Sequence, residues 1–181
     1  CAIAMNINII SIIKSLNKIK TPPGRFQKIY FKERNSYIII DYAHTPEALK
    51  SVMMAYTFKK KLPSILFGCG GNRDIQKRRL MGMIANKYAD NIYITDDNPR
   101  YENPEKIRKS IIKFCKKAYE ISNRKKAIEV AISKMKKKDI LIIAGKGHEN
   151  YQIINNKRKK FDDLKIVKKF IKKIYDKRKK N

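Results

Sequence analysis

Four short runs of large apolar residues, 37–41, 64–68, 91–95 and 139–144, each end in a loop crowded with glycine, proline and charged residues. A strand that is apolar on both faces cannot be solvated on either, so such runs belong in the middle of a parallel sheet covered on both sides. Helical patterns follow or separate them at 46–58, 76–88, 104–117 and 124–135. This alternation predicts an α/β fold, a Rossmann-like, doubly wound, mostly parallel sheet. Residues 151–154 and 159–161 read as a small terminal hairpin across Asn155-Asn156, and 162–175 as a closing helix with a basic outer face. Ahead of these, Ile3, Ile7, Ile10 and Ile13 recur at helical spacing until Thr21-Pro22-Pro23-Gly24 breaks the pattern, which places a boundary near Pro23.

The chain has 181 residues, room for one domain and a short remnant of another. It carries 44 Lys+Arg against 16 Asp+Glu, a formal charge of +28, yet 43% of its residues are hydrophobic, enough to build a core and to exclude a disordered tail. Lysines (34) far outnumber arginines (10), and 30 isoleucines and 14 asparagines accompany them, the set that AT-rich codons favour. Phosphate-clamping surfaces draw on arginine and interleaved aromatics. Here the basic runs 59–61, 136–138, 157–160 and 177–180 sit at expected loops and ends, so a solvated surface is expected and no nucleic-acid partner. Cys1, Cys69 and Cys115 match no zinc spacing and no disulfide framework, which suits a reducing, cytoplasmic setting. The apolar stretch 2–13 is interrupted by Asn6 and Asn8 and falls short of the about 20 residues that span a bilayer, so no membrane segment is expected. No signal peptide is expected either, because no cleavage-like segment follows a basic start.

In an open parallel sheet, ligands bind beyond the carboxyl ends of the strands. The segments there are Asp41-Tyr42-Ala43-His44-Thr45-Pro46, Gly68-Cys69-Gly70-Gly71-Asn72-Arg73-Asp74, Thr95-Asp96-Asp97-Asn98-Pro99-Arg100 and Ala144-Gly145-Lys146-Gly147-His148-Glu149, which hold both histidines of the chain. Turns chosen only for connection need no arginine, histidine or paired aspartate. Each loop also has a plainer reading. The glycines at 68–71 can serve a tight turn and do not form a Walker loop. Asp96-Asp97 can cap a helix, and His44 and His148 can be structural. Arg73 and Arg100 suit bidentate capture of a carboxylate or phosphate, or else ion pairs to Asp74, Asp97 or Glu102. Cys69 has no base paired with it and reads as a small packed residue.

Taken together and in this order, these loops resemble the carboxyl-terminal domain of the Mur ligases. The resemblance runs from Pro23-Gly24-Arg25-Phe26 through 41–46, 68–74 with Lys77-Arg78, 97–100 and 145–149 to Phe161-Asp162-Asp163. It covers residues 22–166, with 1–21 resembling the end of the family's central ATP-binding domain and 22–181 taken as the carboxyl-terminal domain. It implies a cytoplasmic, monomeric, ATP- and Mg2+-dependent amide ligase of peptidoglycan precursor synthesis. Its implied substrates are ATP, UDP-MurNAc-L-Ala-D-Glu and a diamino acid. The form Asp97-Asn98-Pro99-Arg100 implies meso-diaminopimelate, whose extra carboxylate a guanidinium can hold. By matching positions, Arg73, Asp97, Asn98, Pro99, Arg100, Gly145 and Glu149 form the amino-acid site, with Glu149 pairing with an ammonium. Arg25, Asp41 and His44 approach the nucleotide. No catalytic residue and no metal ligand is assigned to this part. Asn72 stands where the family more often has Asp. The family's Gly-Lys-Thr phosphate loop and its UDP-sugar domain do not occur in the 181 residues, so a fragment that does not ligate alone is expected. The rival readings are a non-catalytic basic binding module and a decayed remnant.

Overall fold

The structure is a computed structural model that describes residues 5, 7–16, 21–57, 61–155 and 157–179. Its centre is four mutually parallel strands: β2 (Ser36–Asp41), β3 (Ser64–Phe67), β4 (Ile92–Ile94) and β6 (Ile140–Ala144). Two edge strands complete the sheet, β1 (Gln27–Phe31), antiparallel to β2, and β5 (Ala118–Glu120), parallel to β4. The order across the sheet is β1-β2-β6-β3-β4-β5. Asp41 pairs with Ala144 and Phe67 with Ile94, so the carboxyl ends of the four central strands finish on one edge.

Alternation along these strands sends side chains to two faces. Ile39, Ile65, Phe67, Ile94 and Ile142 pack against α2 (Pro46–Ala55), α3 (Gln76–Tyr88) and α4 (Pro104–Ile112) through Val52, Met81 and Ile111. Ile38, Ile40, Leu66, Leu141 and Ile143 face α5 (Arg124–Lys134) and α6 (Asp163–Lys179) through Ile128, Ile132 and Val167. Ile38, Ile39 and Ile40 are fully buried, each worth about 1.5–3 kcal/mol relative to exposure. The helices start where polar caps allow. The Thr45 hydroxyl accepts from Ala48 N–H ahead of Pro46, Asn103 accepts from Glu105 and Lys106 ahead of Pro104, and Asn123 accepts from Lys126. A hairpin of β7 (Tyr151–Ile154) and β8 (Lys157–Lys160) leaves the sheet after β6.

The doubly wound sheet and the hairpin match the sequence expectation, and the differences have local causes. Neither edge strand is legible as a strand. β1 alternates polar and apolar residues with Lys28 and Tyr30 exposed, and β5 is three residues long with little burial. The helix expected over 104–117 ends at Ile112, because the chain turns through Lys117 at φ +64° to start β5. The second hairpin strand begins at Lys157 rather than 159, and the closing helix runs to Lys179. The first helix, α1, spans Ile9–Leu16, with Ile10 and Ile13 exposed. Ile3, Asn6, Phe58 at the end of the second expected helix, Asn156 of the hairpin turn, and Lys59, Lys60 and Lys180 of the basic runs lie outside the described residues.

One buried ion pair joins the two helices of the second face to the sheet. Arg124 donates from Nε and Nη2 to the two oxygens of Asp163 at 2.9 and 2.7 Å, and from Nη2 to the Ala144 carbonyl at 3.0 Å. Both side chains are fully buried. Removing one partner strands a buried charge, so Asp163→Ala should destabilise by about 3–5 kcal/mol in chemical denaturation. Lys61→Ala, which breaks the half-exposed pair to Asp139, should cost about 0–1 kcal/mol. Equal small losses in the two variants would remove the buried pair as a structural tie.

Candidate functional site

The four strand-end loops and the hairpin enclose a cavity of about 660 Å³. Arg73, Asp97, Asn98, Arg100, Gly145 and Glu149, six of the seven residues expected in the amino-acid site, line it together. The seventh, Pro99, is buried behind the lining, where its carbonyl lies against Gly71. A Cβ on Gly71 would sit 2.0 Å from that oxygen, so only glycine lets the two loops close. Arg73, Lys77, Arg100 and Arg158 supply cations to the lining, and Asp74, Asp97 and Glu149 supply carboxylates. A lining of both signs suits a zwitterion.

Two of the carboxylates, Asp97 and Glu149, share one wall. Asn98 fixes it: its Oδ1 accepts from Lys146 Nζ and from Ile153 N–H, both at 3.0 Å, and its Nδ2 donates to Glu149 Oε2 at 3.1 Å. Reversing the amide would set donors against two donors, so its orientation is determined. Lys146 also reaches Glu149 Oε2 at 3.2 Å and the Tyr151 carbonyl at 2.7 Å, and its Nζ lies 4.0 Å from Asp97 Oδ1. Gly145, at φ +108°, gives Asp97 its place, since a Cβ there would stand 2.9 Å from Asp97 Oδ2. Glu149 Oε1 has no hydrogen-bond partner among the described residues and remains open to a ligand cation.

The guanidinium side is held differently. Arg100 adopts φ +54°, which costs a side-chain-bearing residue about 1–2 kcal/mol, and the hairpin keeps it there. Its N–H donates to the Ile153 carbonyl at 3.0 Å, and its own carbonyl accepts from Asn155 at 2.8 Å. Arg100 Nη1 donates to the Gly71 carbonyl at 3.0 Å. Neither Arg73 nor Arg100 forms an ion pair among the described residues, although Asp74, Asp97 and Glu102 were available in sequence. Glu102 is taken by Arg78, a two-pronged pair at 2.7 and 2.7 Å, and Arg78 Nη2 also holds the Gly70 carbonyl at 3.2 Å. This buried arginine shapes the glycine loop and leaves Arg73 and Arg100 free to meet an incoming anion.

The other candidates divide. His44 lines the cavity mouth, its ring 4.5 Å from that of Tyr42, and its Nδ1 is 2.9 Å from the Tyr42 carbonyl. Arg25 lies outside the cavity, over the other rim residue Tyr42 at 5.6 Å. Asp41 is buried and faces inward, accepting from Phe26 and Ala43 N–H at 2.8 Å each, so it ties the chain before β1 to the end of β2. Asp96 turns away from the cavity to pair with Arg108, which also pairs with Glu120. Burial pushes the Cys69 thiol up to about 12, the state of an inert packed cysteine. Partial burial, then the charge of Glu149, raises the Tyr42 phenol. Lys146, Lys77, Tyr151 and Arg158 were not among the expected site residues. Lys146 carries a signal in the sequence, a lone cation between two glycines directly after a buried strand. Tyr151 and Arg158 carry none, because the sequence does not say where the hairpin folds. A larger cavity, about 760 Å³, lies behind the hairpin among Arg124, Gln152, Lys165 and Phe170, away from the glycine-rich loops.

A doubly wound sheet with a two-signed cavity at its carboxyl edge defines a domain of the Rossmann-like class. Residues 24–147 match the family model described as Mur ligase, glutamate ligase domain, and the chain belongs to that family. It is 49% identical over 166 residues to a UDP-N-acetylmuramoyl-L-alanyl-D-glutamate--2,6-diaminopimelate ligase of Rickettsia rickettsii, a match over 89% of this chain and 34% of the relative. A ligase of the same name from Buchnera aphidicola subsp. Baizongia pistaciae is 46% identical over 178 residues, 95% of this chain and 35% of the relative. The chain thus spans about a third of the length of these curated relatives. A solved structure of such a ligase superposes with a TM-score of 0.77 at 36% identity, over 96% of this chain and 36% of its own. A UDP-N-acetylmuramate-alanine ligase of Thermotoga maritima, at 16% identity and TM-score 0.64 over 97% of this chain and 35% of its own, shares the fold.

The Arg78–Glu102 pair makes the glycine loop sensitive to acid. The hydrogen bond from Arg78 holds the Glu102 carboxyl below its ordinary value, so its contribution is complete above about pH 4.3 and is lost as pH falls through the depressed folded value. Glu102→Gln should lower the melting temperature at pH 7, and its gap from wild type should narrow toward pH 3. A gap constant over that range would contradict the assignment.

Proposed function

We propose that this chain is the amino-acid-binding, carboxyl-terminal part of an ATP-dependent ligase that joins meso-2,6-diaminopimelate to UDP-N-acetylmuramoyl-L-alanyl-D-glutamate in peptidoglycan precursor synthesis. Residues 22–181 are that domain and residues 1–21 the tail of the ATP-binding domain before it. The observation that carries the reading is the two-signed cavity, with Asp97 and Glu149 on one wall and, also in its lining, the guanidiniums of Arg73 and Arg100, which form no ion pair among the described residues. Each end of diaminopimelate carries an ammonium beside a carboxylate, so the end away from the reacting amine meets both walls. Lysine attacking through its α-amine has only a bare ammonium at its far end and would leave Arg100 desolvated without a partner. The names of the relatives support the same substrate.

In this reading Arg100 and Arg73 hold a carboxylate, Glu149, Asp97 and Asn98 receive an ammonium, Gly145 gives Asp97 room, and Pro99 shapes the turn that presents Arg100. These groups orient the amine for attack. ATP with Mg2+ supplies the phosphoryl group that turns the D-glutamyl carboxylate into an acyl phosphate. The 181 residues hold no Gly-Lys-Thr loop to cradle phosphates, so those groups bind mainly elsewhere. Arg25 and His44 at the rim fit the edge of a nucleotide, and Asp41 serves them by fixing Phe26 next to Arg25. The described residues include no helix long and apolar enough to cross a membrane, and Cys69 and Cys115 are free thiols. In this reading the whole enzyme is cytoplasmic and monomeric.

The test joins this domain to the first two-thirds of the Rickettsia rickettsii relative. Arg100→Ala in that chimera should raise the KM for diaminopimelate roughly ten- to a hundredfold, the size of one charged hydrogen bond, with kcat little changed. An unchanged KM would remove Arg100 from the site and the reading with it.

A further inference from the structure

Lys146 is fully buried at the base of the carboxylate wall and does not line the cavity. A lysine ammonium has three protons. All three are placed here, on Asn98 Oδ1 at 3.0 Å, Glu149 Oε2 at 3.2 Å and the Tyr151 carbonyl at 2.7 Å. A saturated ammonium beneath the lining has none left for a ligand and does not act as a base. What it does is visible in its partners. They come from three separate segments: the loop after β4, the loop after β6, and β7 of the hairpin.

We infer that Lys146 is the positioning residue of the ammonium-reading wall, and the inference rests on the amino-acid-binding reading above. Its charge lets two carboxylates, Asp97 and Glu149, share one wall without repelling each other. Its hydrogen bond pins Glu149 by Oε2, so Oε1 faces the ligand. Its hold on Asn98 keeps Nδ2 on Glu149, and its hold on Tyr151 closes the hairpin over the cavity. Without the ammonium, Glu149 has only Asn98 to fix it, beside an uncompensated Asp97. The carboxylate wall then loses its aim, while Arg100, held by the Gly71 carbonyl and the Ile153 backbone, keeps its own.

The experiment measures dissociation constants of this chain for meso-diaminopimelate and for pimelate, the same molecule less both ammoniums, in wild type, Lys146→Met and Lys146→Gln. Folding of each variant is checked by thermal unfolding. Wild type should prefer diaminopimelate by roughly tenfold or more, and both variants should lose most of that preference while still binding pimelate. A preference that survives in either folded variant, with both ligands weakened alike, would make Lys146 a packing residue and overturn the inference alone. Failure of both variants to fold would overturn it as well, by assigning Lys146 to the scaffold. Absence of diaminopimelate binding to wild type would overturn the amino-acid-binding reading itself, and the inference with it.

Discussion

The parallel, in-register pairing of β2, β6, β3 and β4 is the constraint on which everything else depends. Because Asp41 pairs with Ala144 and Phe67 with Ile94, four loops far apart in sequence emerge on one edge of the sheet. Register is fixed by burial: a slip of one residue would exchange the side chains facing α2–α4 with those facing α5 and α6. Both faces are tightly filled, as the full burial of Ile38, Ile39, Ile40, Ile142 and Ile143 indicates. The Arg124–Asp163 pair, bonded also to the carbonyl of Ala144, fixes the end of β6 where the loop carrying Gly145, Lys146 and Glu149 begins.

The site itself separates charge by role. Arg78, Arg108 and Arg124 are buried and each has a carboxylate partner: Glu102, Asp96 and Glu120, and Asp163. These pairs fix loops and helix ends. Among the described residues Arg73 and Arg100 have no such partner, so their charge stays available at the cavity. Most of the +28 excess, by contrast, lies on exposed lysines such as those of β8, where it is solvated and says little about a ligand. A cavity lined by both signs inside a strongly basic chain is therefore more informative than the net charge.

Much of this was legible in the sequence because the strongest signals coincide with the deepest burial. The four central strands read as apolar on both faces, and they are the ones the helices cover. The loops after them read as chemical because arginine, histidine and paired aspartates have no purpose in plain turns. Six of the seven expected amino-acid-site residues do line one cavity. The parts that were not legible depend on contacts distant in sequence. β1 and β5 are strands through their pairing with β2 and β4 rather than through their own patterns. Asp96 and Asp97 are adjacent, yet Arg108 takes one and the cavity receives the other, which only the path of α4 decides. Lys146 stands out in the sequence only as a lysine between two glycines, and its role becomes legible when the fold brings Asn98, Glu149 and Tyr151 around it.

The proposed function makes these loops an amino-acid half-site within this chain. Calorimetric titration of the purified chain with meso-diaminopimelate, with lysine as the control, is its test. Saturable heat with diaminopimelate and none with lysine over the same concentration range is the predicted result. No heat with either ligand, or equal binding of both, would contradict the account.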